Sequence, residues 1–329
     1  ASPTDLDTTT PAFFFVRWLT HLCAPAFVLL MGVGAALREQ RHPGDQRQFL
    51  LTRGLWLVFL ELTWVSFCWT WSPTFFHFGV LWALGGSMVL LVPFVGRSRR
   101  VAVGLAVGLT TLLAVCPVPA DTLGVDGLLR PGHADVFGLT LRAPYALIPW
   151  FLVALAGWGI GPWLAGARRS RVALLGLGLL IGGLVLRALH LGDGDLWGIH
   201  GRGAWFTTLD FLSLSKYPPS PVFLMVMTGL NLVLLAGPMH GDSAVVRQLQ
   251  VFGRVPLFYY LVHIPLAHIL GNALSIAIYG QPSIPESAPV SIALIVGATA
   301  VVVAILTPVS RAWDRLKRQR RDLWFLRYL

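Results

Sequence analysis

The chain has 329 residues, of which 55% are apolar and only 12% are charged, and its mean hydropathy is +0.69. A water-soluble domain of this length would expose far more charge, so the composition excludes an ordinary soluble enzyme. In a soluble protein the net charge of +10 would suggest nucleic-acid binding, but here the cations stand mostly in short breaks between long apolar segments.

Nine segments are apolar over about the 20 residues that a helix needs to cross the hydrocarbon layer of a membrane. None alternates polar and apolar residues as a half-buried strand would, and backbone in lipid must form its hydrogen bonds internally. We therefore predict an all-α polytopic membrane protein, a bundle of about nine transmembrane helices. The predicted spans are 16–37, 50–70, 76–95, 101–119, 145–165, 172–191, 219–238, 255–279 and 290–309.

The polar breaks between these spans are alternately rich and poor in arginine. The rich breaks include Arg38, Arg100 and Arg168, whereas the long breaks 120–144 and 192–218 hold few cations. Cytoplasmic loops carry the excess of Lys and Arg, so the Arg-rich side and the C-terminus are predicted to be cytoplasmic. The first residues fall on the Arg-poor side, and we therefore expect at least one further helix upstream, ten in the complete protein.

The C-terminal end is basic and aromatic. We divide the chain into a transmembrane domain, residues 1–310, and a cytoplasmic tail, residues 311–329. Trp313, Trp324 and Phe325 among the arginines of the tail are typical of a helix at the headgroup layer, because exposed aromatic rings are costly in water. A solvated, disordered basic tail is the alternative.

His21 is the first of several ionisable residues inside a span, where each such residue needs an explanation. It lies near the outer end of the first span, and Pro25 follows four residues later. The missing N–H of Pro25 should free a carbonyl near position 21 and break the helix there. A histidine at such a break could transfer protons in an outer cavity, and a histidine merely hydrogen-bonded at a helix start is the alternative.

Glu61, His263 and His268 are the other acid–base candidates within spans. Glu61 is deep in the second span, so we expect it to be protonated or paired. His263 and His268 are five residues apart, about 140° around a helix, and face different sides unless Pro265 bends the helix. This spacing is not that of a two-histidine metal site, and we predict no metal. A packed histidine bonded to a carbonyl is the alternative for each.

Two further groups of residues are candidates for binding. Arg53, Arg97 and Arg254 lie towards the Arg-rich ends of spans, where guanidinium groups can hold phosphates. On the Arg-poor side, Asp210, Lys216 and Tyr217 accompany several tryptophans and could bind a sugar. Belts of Trp and Tyr at membrane interfaces are the commoner reason for such aromatic residues.

Seven blocks of the sequence resemble one family and together span nearly the whole chain. They are DLDTTTPAFFFVRWLTHLCAPAFVLLMGVG, FLLTRGLWLVFLELTWVSFCW, FGVLWALGGSMVLL, PYALIPWFLVALAGWGIGP, FLSLSKYPPSPVFLM, FGRVPLFYYLVHIPLAHIL and RRDLWFLRYL. The chain resembles bacterial membrane proteins similar to the catalytic domain of heparan-α-glucosaminide N-acetyltransferase.

The resemblance implies transfer of an acetyl or other acyl group from cytosolic acyl-CoA to a glycan, such as an amino sugar, on the periplasmic side of the bacterial inner membrane. A histidine in the loop after the first transmembrane helix is implicated in the family. That helix is the one expected upstream, and His21 lies in the following helix rather than at the motif-matched position. For the other candidates, the resemblance suggests three roles. Acid–base groups would be Glu61, His263 and His268. The acyl-CoA donor would be bound by Arg53, Arg97 and Arg254, and the acceptor by Asp210, Lys216 and Tyr217.

Two functions of other classes stay open. One is a transporter or flippase for a glycan or lipid intermediate, with Glu61, His263 and His268 along its pathway. The sequence shows no inverted repeat of the kind that many transporters have. The other is a non-catalytic scaffold that binds a partner through 192–218. The expected partners are membrane lipids and the glycan acceptor, with a homodimer allowed and no nucleic acid.

Overall fold

The computed structural model of the chain describes residues 4–116, 126–237, 243–282, 291–320 and 322–323. These residues form two compact units. The larger unit comprises 4–63 and 74–237, and the smaller unit comprises 64–73 with the described residues from 243 onward. Predictions that concern residues 117–125, 238–242, 290 and 324–329 lie outside the described residues, including those for Trp324 and Phe325.

The described residues are mostly helical, and each predicted span contains a helix. The α-helices are α1 Pro11–Leu19, α2 Cys23–Arg41, α3 Gln46–Leu60, α4 Ser66–Thr70, α5 Val80–Leu91, α6 Arg99–Val115, α7 Leu147–Gly166, α8 Arg169–Ala188, α9 Ala204–Leu212, α10 Pro221–Ala236, α11 Ala244–Arg254, α12 Pro256–Tyr279 and α13 Ile292–Gln319.

Six helical stretches in the described ranges are long and apolar enough to cross a membrane. They are Pro11–Arg41, Gln46–Thr70, Leu147–Gly166, Arg169–Ala188, Pro256–Tyr279 and Ile292–Gln319. The apolar helices Val80–Phe94 and Pro221–Ala236 are shorter. The chain is a multi-pass membrane protein, and the number of about nine crossings stays a prediction.

Glycines allow the helices of the larger unit to pack with their backbones in contact. A Cβ added at Gly176 in α8 would lie 2.8 Å from the carbonyl oxygen of Gly229 in α10, and one at Gly229 would lie 2.6 Å from the carbonyl oxygen of Gly176. Gly54 and Gly85 bring α3 and α5 together in the same way, at 2.6 and 2.4 Å. Small residues at such crossings let the backbones pack closely, which stabilises helix association in lipid, where no hydrophobic driving force acts between helices.

The sequence prediction missed a small β-sheet, of which two strands lie in the long break between the fourth and fifth spans and one lies at the start of the third span. Strands β1 Phe75–His77, β2 Gly132–Val136 and β3 Leu139–Ala143 form a sheet of order β1-β3-β2, with β1 parallel and β2 antiparallel to β3. Phe137 and Gly138 between β2 and β3 have φ of 51° and 78°, as a two-residue type I′ hairpin turn requires. The sheet leads into the starts of α5 and α7.

The Arg-rich ends of the helices in the larger unit contact one another. Glu39 near the end of α2 accepts the N–H of Gly96 at 2.6 Å and pairs with Arg99 at the start of α6. The guanidinium of Arg99 also stacks 3.4 Å from the ring centre of Trp158, near the end of α7. The opposite ends of α2, α6 and α7 therefore lie together at the Arg-poor side, as the alternation predicts. Which side is cytoplasmic stays a prediction.

The smaller unit consists of α4, α11, α12 and α13. The indole N–H of Trp64 donates to the carbonyl of Leu261 in α12 at 2.8 Å. Asp314 in α13 pairs with Arg254 at 3.0 Å and with Arg318 at 2.8 Å. Helix α13 continues without a break to Gln319, across the predicted boundary after residue 310. The headgroup position of the tail stays a prediction.

Candidate functional site

A cavity of about 970 Å³ lies at the Arg-poor ends of the helices in the larger unit. The end of α1 with the 3-10 turn that follows it, the end of α6 and the starts of α7 and α10 form its helical walls, and residues 192–195 and 213–220 form the wall contributed by loops. A volume of this size is at the upper end of small-molecule pockets and is sufficient for a sugar.

His21 lies in the cavity wall at the break between α1 and α2. Residues Thr20–Leu22 form one 3-10 turn there, and the carbonyl of Leu22 accepts the side-chain N–H of Asn231 at 3.0 Å. The backbone therefore departs from α-helical geometry before Pro25, within the helical stretch Pro11–Arg41. The imidazole is 7% exposed and packs edge-to-face on Phe223 at 5.7 Å. Its Nδ1 is buried and has no hydrogen-bond partner in the described part of the chain.

Lys216 and Tyr217 line the same cavity, from the loop before α10. Lys216 is 9% exposed, and its Nζ lies 5.1 Å from the ring centre of Tyr217 and 5.8 Å from that of Tyr145. Burial raises the pKa of Tyr145 well above its ordinary value, and the charge and hydroxyl of Tyr217 add to this. The Tyr145 hydroxyl is therefore neutral, and its ring packs edge-to-face on that of Tyr217 with the ring centres 5.6 Å apart.

Arg187, near the end of α8, holds this loop wall in place. Its side chain is 2% exposed and donates to the carbonyls of Phe211 at 3.1 Å and of Asp210 and Ser213 at 3.0 Å. It also donates to the carbonyl of Asp195 and pairs with the Asp193 carboxylate at 3.5 Å. A buried guanidinium with so many loop acceptors fixes the backbone on both sides of the cavity opening.

The carboxylates that line the cavity are engaged within the loop wall. Asp193 faces Arg187 and accepts the backbone N–H of Ser215 at 3.3 Å. The hydroxyl of Ser215 lies within hydrogen-bond distance of both Asp193 and Asp195. Arg130, also in the cavity wall, pairs with Asp126. Positive charge therefore predominates around His21.

Glu61 and Asp210 do not line the cavity. Glu61 is fully buried, and its carboxylate accepts the N–H of Gly79 at 3.0 Å and of Leu81 at 2.8 Å at the start of α5. An acidic group at a helix N-terminus stabilises the helix, so the contacts of Glu61 are those of a structural residue. Asp210 accepts the N–H of Gly198 at 2.9 Å and shapes the outer loop. Any direct role of either in the reaction stays a prediction.

The predicted donor-binding arginines are distributed over both units. Arg53 is half-buried in α3, and Arg97 is exposed and donates to the carbonyl of Pro93. Arg254 belongs to the smaller unit, where Asp314 occupies its guanidinium. Arg254 would have to exchange this carboxylate for a phosphate, whereas Arg97 would give up only a carbonyl.

The two histidines of α12 have the contacts of packed side chains. The Nδ1 of His263 lies 2.7 Å from the carbonyl oxygen of Tyr260, and His268 packs edge-to-face on Trp69 at 5.6 Å. Both lie in the smaller unit, and their assignment to catalysis stays a prediction. Across the described ranges, no group of three or more His, Cys, Asp or Glu side chains could hold a metal ion.

The structure thus brings together three of the predicted site residues, His21, Lys216 and Tyr217, and adds others that the sequence reasoning missed. Arg17 lines the same cavity, and Arg187 orders its loop wall. Both could have been found by the criterion that identified His21, because both are ionisable residues within apolar stretches. Tyr145 and Ser215 gave no such signal.

Comparison with known protein families identifies a matching family. Residues 4–177 match the family model described as heparan-alpha-glucosaminide N-acetyltransferase, catalytic, which covers just over half of the chain. The matched region includes His21, Glu61 and Tyr145 and ends before the loop that carries Lys216. No curated protein and no solved structure matches the chain. The resemblance inferred from the sequence is confirmed.

Proposed function

Because the chain belongs to the heparan-alpha-glucosaminide N-acetyltransferase catalytic family, we propose that it is a transmembrane acyltransferase of the bacterial inner membrane. It takes an acetyl or other acyl group from acyl-CoA on the Arg-rich, cytosolic side. It delivers the group to a glycan in the cavity, on the periplasmic side. The observation that carries the proposal is His21, a buried imidazole in the wall of a sugar-sized cavity, whose Nδ1 has no hydrogen-bond partner among the described residues.

His21 is the general base in this proposal. As the acceptor hydroxyl or amine attacks the carbonyl carbon of the thioester, its proton passes to the imidazole, the new C–O or C–N bond forms and the C–S bond breaks. The imidazolium then returns the proton to the leaving thiolate, so atoms and charges balance. A positioned base of this kind contributes about 10²- to 10⁴-fold to a rate.

Tyr217 provides a hydrogen-bond donor for the oxyanion that develops on the carbonyl. Tyr145 packs edge-to-face on the Tyr217 ring at 5.6 Å, so a second phenol lies beside this donor. A donor aimed at developing charge is among the largest contributions to catalysis.

The cations around His21 favour the reactive form of the acceptor. An amino sugar in water carries a protonated amine, which cannot attack a thioester. Arg17 and Lys216 line the same cavity as His21, and these cations disfavour a positive charge on an amine placed beside the imidazole. The cavity therefore suits a neutral amine or a hydroxyl as the nucleophile.

The donor is a substrate, and its phosphates suit the guanidinium groups at the Arg-rich ends. Arg53 and Arg97 of the larger unit are the proposed contacts. Arg97 is exposed, and its guanidinium donates only to the backbone carbonyl of Pro93 among the contacts described. The acyl group then extends towards the Arg-poor ends of the helices.

The test is acyl transfer by the purified protein in detergent, with acetyl-CoA labelled in the acetyl group and glucosamine as the acceptor. We expect labelled N-acetyl product, and a loss of about 100-fold or more in His21→Ala with acetyl-CoA binding retained. His133→Ala is the matched control, because His133 is exposed on β2. Full turnover in His21→Ala would remove His21 from the mechanism. Absence of acetyl-CoA binding together with substrate counterflow in vesicles would assign the protein to transport instead.

A further inference from the structure

Two cations in the cavity wall lack a counter-charge. Lys216 is more than nine-tenths buried, and its ammonium faces aromatic rings, without a carboxylate partner in the described residues. Arg17, on α1, lines the same cavity and likewise has no carboxylate partner there. Both line the same cavity as His21, the proposed base.

The other charges of the cavity do not neutralise this pair. Asp193 is paired with Arg187, and Arg130 is paired with Asp126. Asp195 is exposed and shares the hydroxyl of Ser215. The exposed carboxylate of Asp195 is therefore the only unpaired anion among the described cavity residues, whereas Arg17 and the deeply buried Lys216 are two unpaired cations. A buried ammonium without a counter-ion is costly, and that cost falls when an anion enters the cavity.

We propose that Arg17 and Lys216 form a subsite for a phosphate ester carried by the glycan acceptor, bound beside His21. The inference rests on the proposed function, since it concerns the acceptor of the same cavity. The two side chains suit a phosphate in complementary ways. Arg17 offers a planar fork that can hold two oxygens, and Lys216 offers a compact point charge with three donors. The phosphate anchors the sugar, and its nucleophilic amine or hydroxyl then lies near the imidazole.

A phosphate ester could also belong to a phospholipid headgroup, since the cavity is in a membrane protein. The cavity wall favours a soluble or glycan-linked phosphate, because Ser215 and Asp195 line the same cavity with polar groups that suit sugar hydroxyls. The choice of probes in the experiment distinguishes a lipid phosphate from a sugar phosphate.

The experiment measures binding by calorimetry in uncharged detergent, without acyl-CoA, for glucosamine 6-phosphate, glucosamine and inorganic phosphate. We expect glucosamine 6-phosphate to bind at least about tenfold more tightly than glucosamine, since a charge-assisted hydrogen bond contributes this much or more. Lys216→Gln and Arg17→Gln should each remove about tenfold of that preference. Lys216→Arg should keep most of it, which shows that the loss in Lys216→Gln is not a failure to fold. Arg142→Gln is the control, because Arg142 is an exposed residue of β3 outside the cavity wall.

Equal affinity for glucosamine and its phosphate, or unchanged preference in Lys216→Gln, would overturn the subsite. So would competition by phosphatidylglycerol in the micelles combined with no binding of the sugar phosphate, because the cations would then serve a lipid headgroup. The acyl-transfer assay keeps the two proposals apart. Phosphate-dependent binding without acyl transfer retains the subsite and refutes the acyltransferase, whereas equal kcat/KM for both sugars retains the acyltransferase and refutes the subsite.

Discussion

Replacement of Arg187 by methionine should loosen the loop wall of the cavity while the helices remain packed. Methionine keeps most of the length and apolar character of the arginine side chain but removes its charge and all its donors. The carbonyls of Phe211, Asp210 and Ser213 would each lose a hydrogen bond of 3.0–3.1 Å. The side chain of Asp193, 3% exposed, would remain as a buried carboxylate without its cation.

The size of the effect follows from these contacts. Removal of one partner of a buried ion pair costs about 3–5 kcal/mol, and the loss is confined to the elements that the pair joins. Since about 1.4 kcal/mol corresponds to a factor of ten, local opening of residues 192–218 should become roughly 100- to 4,000-fold more frequent.

Hydrogen exchange read by mass spectrometry measures this opening directly. We expect faster exchange of the described amides in 192–218 and unchanged exchange in α7. Arg202→Met is a matched control, because Arg202 lies in the same loop but donates to the carbonyls of Leu6, Asp7 and Thr9 at the N-terminal end. Protection of 192–218 equal to that of the original protein would refute the role given to Arg187.

Three further results are expected. Gly176→Ala should lower the thermal midpoint in detergent, because its Cβ would meet the Gly229 carbonyl at 2.8 Å, whereas Gly178→Ala should not, because nothing lies within 4 Å; equal midpoints would contradict the packing. Burial, with Arg142 as a smaller cause, lowers the pKa of His77 from 6.5 to about 4, so the folded state binds fewer protons than the unfolded chain between these values. The contribution of His77 to the free energy of unfolding is therefore fully present above about pH 6.5 and is lost as the pH falls towards about 4. His77→Gln should reduce this loss in thermal melts. Tyr145→Phe should lower kcat about tenfold with the KM for acyl-CoA unchanged, and a change in that KM alone would place Tyr145 outside the acceptor site.

The helices and the cavity differ in how far the sequence could predict them. The apolar spans and the break before Pro25 follow from composition and from a missing N–H, which act locally, and the structure confirms helices in the predicted spans. The sequence shows glycines at both 176 and 178 but not that only Gly176 faces another backbone, since that depends on the rotation of α8 against α10.

The site was harder to predict because its residues meet through tertiary contacts. His21 could be identified as a histidine within an apolar segment. Its neighbours in the cavity, Lys216 and Tyr217, are nearly 200 residues away in the sequence and lie among many other polar loop residues. The sheet was missed although its hairpin has a signal, with Phe137-Gly138 between two short strands, because strands were considered only for the long apolar segments. Arg187 donates to four backbone carbonyls around the cavity, and no spacing of residues in the sequence predicts these contacts.

Transfer across a sealed membrane tests the central claim most directly. Vesicles containing the purified protein would receive acetyl-labelled acetyl-CoA outside, with an amino-sugar acceptor enclosed inside. We expect labelled product to accumulate in the lumen, and to be lost in His21→Ala, while the acetyl-CoA itself stays outside. Product that forms only when donor and acceptor share the same compartment, or no product at all, would contradict a transmembrane acyltransferase.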